Sequence, residues 1–69
     1  MTESQKISVV VPVLNEEESI ETLYKQIASN LSSFNIEIIF INDGSTDSTK
    51  DIICNILNSD SCVKLINFN

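Results

Sequence analysis

Residues 7–14, with the sequence ISVVVPVL, and residues 36–41, with the sequence IEIIFI, decide the fold of this 69-residue chain. Both runs are short and rich in β-branched residues, and most of their apolar positions follow one another without the alternation of a half-exposed strand. This pattern is typical of strands in a parallel sheet, which are covered on both faces. Pro12 cannot donate a hydrogen bond to a neighbouring strand, so we expect it to mark the carboxyl end of the first strand.

The segment between these two strands predicts an amphipathic helix. Its apolar residues recur at helical spacing and form a single stripe, in which we expect Tyr24 to be a core residue. Asn15 is a favourable N-cap, and Glu18 lies three positions further on, as in a capping box. Acidic side chains in a first turn also suit the positive end of the helix dipole. The pattern therefore predicts a helix from about Glu16 to Leu31.

The rest of the chain continues this alternation. Residues 42–48 predict a polar loop, residues 52–57 carry the apolar face of a second helix, and residues 62–68 predict a third strand. The order β-α-β-α-β predicts a three-stranded parallel sheet with right-handed crossovers. If the strands lie in the order 3-2-1, both helices cover one face and leave the other bare. Since such a sheet is normally covered on both faces, we expect the chain to be incomplete or to pair with a partner.

The composition argues against several classes of function. Ten acidic residues stand against four Lys and no Arg, for a formal net charge of −6, which disfavours nucleic-acid or membrane binding through a basic face. The absence of His rules out a Ser-His-Asp triad and the usual zinc sites. Cys54 and Cys62 have no metal-ligand spacing, and we expect two buried or half-buried free thiols. Without a long apolar stretch or a signal-like start, the predicted location is cytoplasmic.

A ligand site is expected where the first two strands end, because open parallel sheets bind ligands at their carboxyl edge. Residues 12–16 and 42–45 follow these strands and should be neighbours there. A dinucleotide fold or a phosphate loop needs a Gly-rich turn after the first strand, and the single glycine of the chain is Gly44. Three Glu at the predicted helix start would also repel a phosphate. This leaves recognition of a base or ribose, from which a carboxylate can accept hydrogen bonds.

Two motifs and the third strand carry a resemblance to a known family. Residues 9–18, VVVPVLNEEE, resemble the VVPVYNEEE opening of family 2 glycosyltransferases with the GT-A fold, and residues 38–47, IIFINDGSTD, resemble their IIFVDDGSTD segment. Residues 63–69, VKLINFN, are similar to the strand that precedes an RNFG motif in polyprenyl-phosphate sugar transferases. The resemblance covers nearly the whole chain. It implies an α/β fold in which residues 1–69 form the N-terminal, nucleotide-binding part of an incomplete GT-A (nucleotide-diphospho-sugar transferase) Rossmann-like domain.

The resemblance assigns binding roles to four positions and a catalytic role to none. Pro12, Leu14 and Glu16 would line the base and ribose of a nucleotide-sugar donor, and Asp43 would hydrogen-bond the base, uracil or guanine. Leu14 stands where many members have Tyr, and Asn42 replaces the first Asp of the family's pair, so the donor stays open. Without the resemblance, Asp43 could equally cap the second helix or form an Asx-turn, and Glu16 could serve only the helix start.

The resemblance also implies an activity for the complete enzyme. It would transfer a sugar from a UDP- or GDP-sugar to polyprenyl phosphate, in cell envelope glycan synthesis, while associated with the cytoplasmic side of a membrane. Its Mg²⁺ or Mn²⁺, bound by an acidic D-x-D motif, and its catalytic base are expected beyond Asn69, so no metal ligand is assigned in this chain.

We expect these 69 residues alone to be inactive, with the bare sheet face covered by the rest of the GT-A domain or by self-association. Two alternatives stay open. One is a non-catalytic remnant that binds a nucleotide or a partner chain. The other is a receiver-like signalling domain, for which the acidic pair after the first strand is missing.

Overall fold

Strands and helices alternate along the chain in a computed structural model that describes residues 6–68. The elements, in chain order, are β1 (Lys6–Val13), α1 (Ile20–Asn30), β2 (Asn35–Asp43), α2 (Thr49–Ser59) and β3 (Val63–Phe68). All strands pair in parallel, in the spatial order β1-β2-β3. The predicted β-α-β-α-β order and three-stranded parallel sheet are therefore confirmed.

The core lies between the sheet and the two helices. Ile38 and Phe40 of β2, Ile20 of α1 and Ile53 of α2 are each at most 1% exposed and belong to one apolar cluster. They meet because β2 is the central strand and both crossovers return over the same face of the sheet. Full burial of such a side chain stabilises a fold by roughly 1.5–3 kcal/mol, so this cluster is the main source of stability.

The opposite side of the sheet, called the open face below, carries residues 10 and 12 of β1, 39, 41 and 43 of β2, and 66 and 68 of β3. No element among residues 6–68 covers it, and Val10, Ile66 and Phe68 are 55%, 45% and 54% exposed. The predicted one-sided sheet is therefore present in the described part of the chain.

Polar side chains end the apolar surface of the open face near the amino ends of the strands. The Ser8 hydroxyl donates to a Glu37 carboxylate oxygen at 2.8 Å, and the Lys64 ammonium lies 3.1 Å from the other oxygen. These two contacts, the Ser8 bond first, hold the pKa of Glu37 below its ordinary value.

The predicted start of the first helix is wrong. α1 begins at Ile20 rather than Glu16, and the residue before it, Ser19, makes no side-chain capping bond. Asn15 is not an N-cap, because its φ of +53° places it in the left-handed region that Asn tolerates better than most residues. The carbonyl of Glu16 accepts the N–H groups of Ser19 and Ile20 at 3.0 and 2.9 Å, so a turn precedes the helix. The capping box with Glu18 is wrong for the same reason.

The second strand is longer than predicted. Asn42 and Asp43 belong to β2 rather than to the loop, because the ladder continues and Asn42 lies beside Val13 on one side and Asn67 on the other. The turn begins only at Gly44, whose φ of +80° lies in the left-handed region that glycine adopts at little cost.

The two cysteines differ in exposure. Cys54, within α2, is half-buried as predicted. Cys62 lies in the turn between α2 and β3 and is exposed, so the prediction of two covered thiols is wrong for this residue.

Candidate functional site

Two consecutive residues at the end of β2 lie on opposite faces of the sheet. Asn42 is on the helix-covered face and only 2% exposed, and its amide donates to the side-chain oxygen of Asn67 at 2.7 Å. Its own oxygen accepts the N–H of Ser45 at 3.2 Å. Asp43 lies on the open face and is exposed. Of the two, only Asp43 is therefore free to contact a ligand.

Pro12 and Leu14 lie close to the same edge. Pro12 is the penultimate residue of β1, beside Ile41 on the open face, and its missing N–H is tolerated because β1 is an edge strand. Leu14 directly follows β1 and is 53% exposed. The parallel register therefore brings Pro12, Leu14 and Asp43 to one corner of the sheet, as the sequence predicted.

Glu16 is held on the other side of that corner. Its backbone N–H donates to the Thr49 hydroxyl at 2.8 Å, and Thr49 is the fully buried first residue of α2. The Glu16 carboxylate accepts a hydrogen bond from the Ser19 hydroxyl at 2.9 Å. Glu16 thus sits against the amino end of α2, on the helix-covered side, whereas Pro12 and Asp43 lie on the open face.

Hydrogen bonds tie the loop after β1 to the loop after β2, and we call this set the cross-loop network. At its centre, the N–H of Asn15 donates to the Ser45 hydroxyl at 2.9 Å, and the Asn15 side-chain oxygen accepts the N–H of Thr46 at 2.8 Å. A Glu17 carboxylate oxygen accepts the N–H of Ser48 at 2.8 Å. Each loop therefore provides both donors and acceptors for the other.

Asp47 is the acidic hub of the cross-loop network. One carboxylate oxygen accepts both the N–H and the hydroxyl of Thr49, at 2.9 and 2.5 Å, and the other accepts the N–H of Glu17 at 3.3 Å. These bonds, the Thr49 hydroxyl first, hold the pKa of Asp47 below its ordinary value. The stabilisation is complete above the ordinary carboxyl pKa and is lost as the pH falls through the lowered one.

The sequence did not reveal the partners in this network. About 30 positions separate Asn15 from its partners in the second loop, so no local sequence pattern indicates this contact, although both loops follow neighbouring parallel strands. Asp47 and Thr49 could be recognised only as generic turn and cap residues. Asn67 accepts the Asn42 amide because the two residues are opposite each other in the ladder between β2 and β3. The apolar pattern of β3 does not predict this register to the residue.

The described residues offer no metal centre. Within residues 6–68 there is no group of three or more Cys, Asp or Glu side chains placed to hold a metal ion. No helix in this part of the chain is long and apolar enough to cross a membrane.

The exposed carboxylate of Asp43 lies where the central strand ends, which is the edge at which open parallel α/β sheets bind ligands. The sequence model of glycosyl transferase family 2 matches residues 8–69, so the chain belongs to this family. The resemblance found in the two motifs and the fold class that it implied are thereby confirmed.

Several proteins similar to this chain have names that mention the lipid bactoprenol or dolichol phosphate. The chain is 49% identical over 65 residues to the prophage bactoprenol glucosyl transferase homolog of Escherichia coli K12, and 48% identical over 65 residues to the bactoprenol glucosyl transferase of Shigella phage SfV. Each match covers 91% of this chain and 21% of the relative. The dolichol-phosphate mannosyltransferase of Pyrococcus furiosus is 41% identical over 44 residues, which are 64% of this chain and 12% of that protein. The chain thus spans about a fifth of the length of its bactoprenol-type relatives.

Proposed function

We propose that residues 1–69 are the N-terminal, nucleotide-binding part of a glycosyltransferase that transfers a sugar from a UDP- or GDP-sugar to polyprenyl phosphate. The observation that carries the proposal is the state of Asp43. Its carboxylate is exposed at the carboxyl end of the central strand. Among residues 6–68 it takes part in no side-chain hydrogen bond and no ion pair.

The contrast with other acidic residues supports this role. Asp47 and Asp60 each accept several hydrogen bonds within the fold, and Glu37 is paired with Lys64. Asp43 neither caps α2 nor forms an Asx-turn, which were the structural alternatives for it, because Asp47 bonds Thr49 at the start of that helix. An unengaged carboxylate can accept the imide N–H of uracil or guanine, or a ribose hydroxyl.

The neighbouring residues fit a base rather than a phosphate. Leu14 is more than half exposed and offers an aliphatic surface, and Pro12 fixes the backbone that leads to it. Glu16 lies on the helix-covered side of this corner and is exposed, so a ribose that extends past the sheet edge from Asp43 could donate a hydroxyl to its carboxylate. We therefore propose that Pro12, Leu14, Glu16 and Asp43 contact the base and ribose.

The acceptor and the metal are proposed from the family and not from these residues. The names of the relatives mention bactoprenol and dolichol phosphate, so a polyprenyl phosphate acceptor and attachment of the complete enzyme to the cytoplasmic side of a membrane are part of the proposal. The diphosphate of the donor needs a divalent cation, Mg²⁺ or Mn²⁺. In the family this cation is bound by an acidic D-x-D motif, and we propose that the same motif binds it elsewhere in the complete enzyme.

Titration calorimetry with UDP and GDP tests the role of Asp43. Replacing Asp43 by Ala removes a charge-assisted hydrogen bond, worth on the order of 1.5–3 kcal/mol, so the affinity should fall about 10- to 150-fold. Asp51→Ala, an exposed acid in the first turn of α2, is the matched control and should leave the affinity unchanged. Equal affinities of the Asp43→Ala variant and the parent chain would remove Asp43 from the site.

A transfer assay separates the proposal from its alternative, a non-catalytic module. The protein encoded by the complete gene, with Mg²⁺ or Mn²⁺ and a polyprenyl phosphate, should release UDP or GDP only when the lipid is present. Nucleotide binding without any release would instead support a binding module.

A further inference from the structure

We propose that Asn15, Glu17 and Asp47 are positioning residues, which lock the loop after β1 to the loop after β2 before any nucleotide binds. That the ligand is a nucleotide rests on the proposed function, whereas the hydrogen bonding between the two loops does not depend on it. A preformed site binds more tightly than a mobile one, because ligand binding does not have to supply the free energy that orders its loops.

The direction of the hydrogen bonds shows that the two loops are locked reciprocally. Five backbone N–H groups donate across the gap between the loops. The donors and acceptors are Asn15 to Ser45, Glu16 to Thr49, Glu17 to Asp47, Thr46 to Asn15 and Ser48 to Glu17. Because bonds run both ways, neither loop can shift without breaking bonds formed by its own backbone and by its own side chains.

These bonds also use some of the N–H groups near the two helix starts that could otherwise donate to a phosphate. Backbone N–H groups at the start of a helix are the usual donors to a bound phosphate. Here the N–H of Thr49, in the first turn of α2, donates to Asp47, and the N–H groups of Glu16 and Glu17, which precede α1, donate to Thr49 and Asp47. The network therefore already uses the N–H groups of Glu16, Glu17 and Thr49, so these three amides are not available to a phosphate.

Asp47 is the member whose loss should loosen both loops. It joins Thr49 of α2 to Glu17 of the first loop through separate carboxylate oxygens. Its lowered pKa is consistent with a carboxylate that stays charged and bonded at neutral pH. It lines the same depression as Glu16, but its carboxylate oxygens are bonded to Thr49 and Glu17, so we assign it a positioning role and not a contact with the nucleotide.

Amide hydrogen exchange followed by NMR, without nucleotide, tests the locking directly. In the parent chain the N–H groups of Asn15, Glu16 and Ser48 should exchange at least tenfold more slowly than unstructured amides. Asp47→Ala should raise the exchange rates of these amides about tenfold or more, while far-ultraviolet circular dichroism stays unchanged. Asp51→Ala, in the first turn of α2, is the control and should leave the exchange rates of these amides unchanged.

Nucleotide affinity then separates positioning from a purely structural role. Asp47→Ala should weaken UDP or GDP binding about tenfold, the loss expected when one hydrogen bond no longer supports the site. Asp47→Asn, which keeps an acceptor oxygen for Thr49, should recover part of that affinity. Asn15→Ala is the second variant if Asp47→Ala does not fold, and it should show the same two effects.

The outcomes decide between the two proposals. Unprotected loop amides in the parent chain would overturn the locking, and faster exchange with unchanged affinity in Asp47→Ala would reduce Asp47 to a helix cap. If the parent chain binds neither nucleotide, the proposed function of the chain fails, and the exchange rates still decide whether the loops are locked.

Discussion

The tyrosine on α1 provides a sharp test of how the two helices are joined. The Tyr24 hydroxyl donates to a carboxylate oxygen of Asp60 at 2.5 Å, and the other oxygen of Asp60 accepts the N–H of Cys62 at 2.9 Å. Asp60 is the C-cap of α2, so this bond connects α1 to the turn between α2 and β3. The bond to Asp60, followed by partial burial and by the charge of Asp60, raises the pKa of Tyr24 to about 12.

Replacing Asp60 by Asn or Ala should lower the pKa of Tyr24 by an amount that the structure indicates. The ordinary pKa of tyrosine is about 10, and the two-unit rise corresponds to a hundredfold weaker acid. Asparagine keeps an oxygen that can accept the hydroxyl but removes the negative charge that opposes ionisation. We expect the pKa of Tyr24 to fall by at least one unit in Asp60→Asn and to approach 10 in Asp60→Ala, where the acceptor is lost as well.

Alkaline titration by near-ultraviolet absorbance measures this pKa without ambiguity. The chain contains one Tyr and no Trp, so the tyrosinate signal belongs to Tyr24 alone. Circular dichroism recorded on the same samples shows whether the helices persist through the titration. Lys50→Gln, an exposed change near the other end of α2, is the control and should leave the midpoint near 12.

The stability of the fold should follow the same ionisation. A phenol whose pKa is raised by folding stabilises the protein fully below its ordinary pKa, and this contribution is lost as the pH rises from about 10 to about 12. A midpoint near 10 in a chain that still shows native circular dichroism would refute the bond between Tyr24 and Asp60, and with it the reasoning on how α1 is attached.

Two further predictions concern the end of β2 and the open face. Asn42→Ala leaves the N–H of Ser45 and the side chain of Asn67 without their buried partner, so the free energy of unfolding in urea should fall by about 1–3 kcal/mol. Asn58 is exposed, and Asn58→Ala is the control that should change this free energy little. Equal losses in the two variants would refute a special role for Asn42. The exposed apolar side chains of the open face should make the 69-residue chain self-associate, and Ile66→Lys should shift it towards monomer in sedimentation velocity, while a compact monomeric parent chain would contradict the expectation.

The elements of the fold were predictable because their signals are local. Apolar runs of β-branched residues mark β1 and β2, and helical spacing marks the stripe of α1, so order and topology followed from periodicity and from the handedness of crossovers. The start of α1 was not predictable in this way. Asn15 has the residue type of an N-cap, but its side-chain oxygen is used by Thr46 of a distant loop, and a contact of that range overrides local capping preference.

The position of the candidate site residues was predictable to the level of the sheet edge. Both polar loops follow adjacent parallel strands, and this alone places Pro12, Leu14 and Asp43 together. What the sequence could not provide is the side of the sheet on which each residue lies, because the lengths of β1 and β2 decide it. An extension of β2 by two residues puts Asn42 inside and Asp43 outside, and the anchoring of Glu16 on Thr49 depends on the turn before α1.

The opposite orientation of Asn42 and Asp43 also decides how a departure from the family motif should be interpreted. From the sequence, Asn in place of the first acid left the donor open, since a charge near the ligand seemed to be lost. In the structure that side chain is 2% exposed and bonded to Ser45 and Asn67. An uncharged amide suits this position, because it satisfies one donor and one acceptor without the desolvation cost of a buried carboxylate. In the proposed site, recognition of the base is assigned to Asp43 and the aliphatic Leu14, so we expect changes at these two positions to alter the preference between UDP and GDP, and changes at position 42 to alter stability.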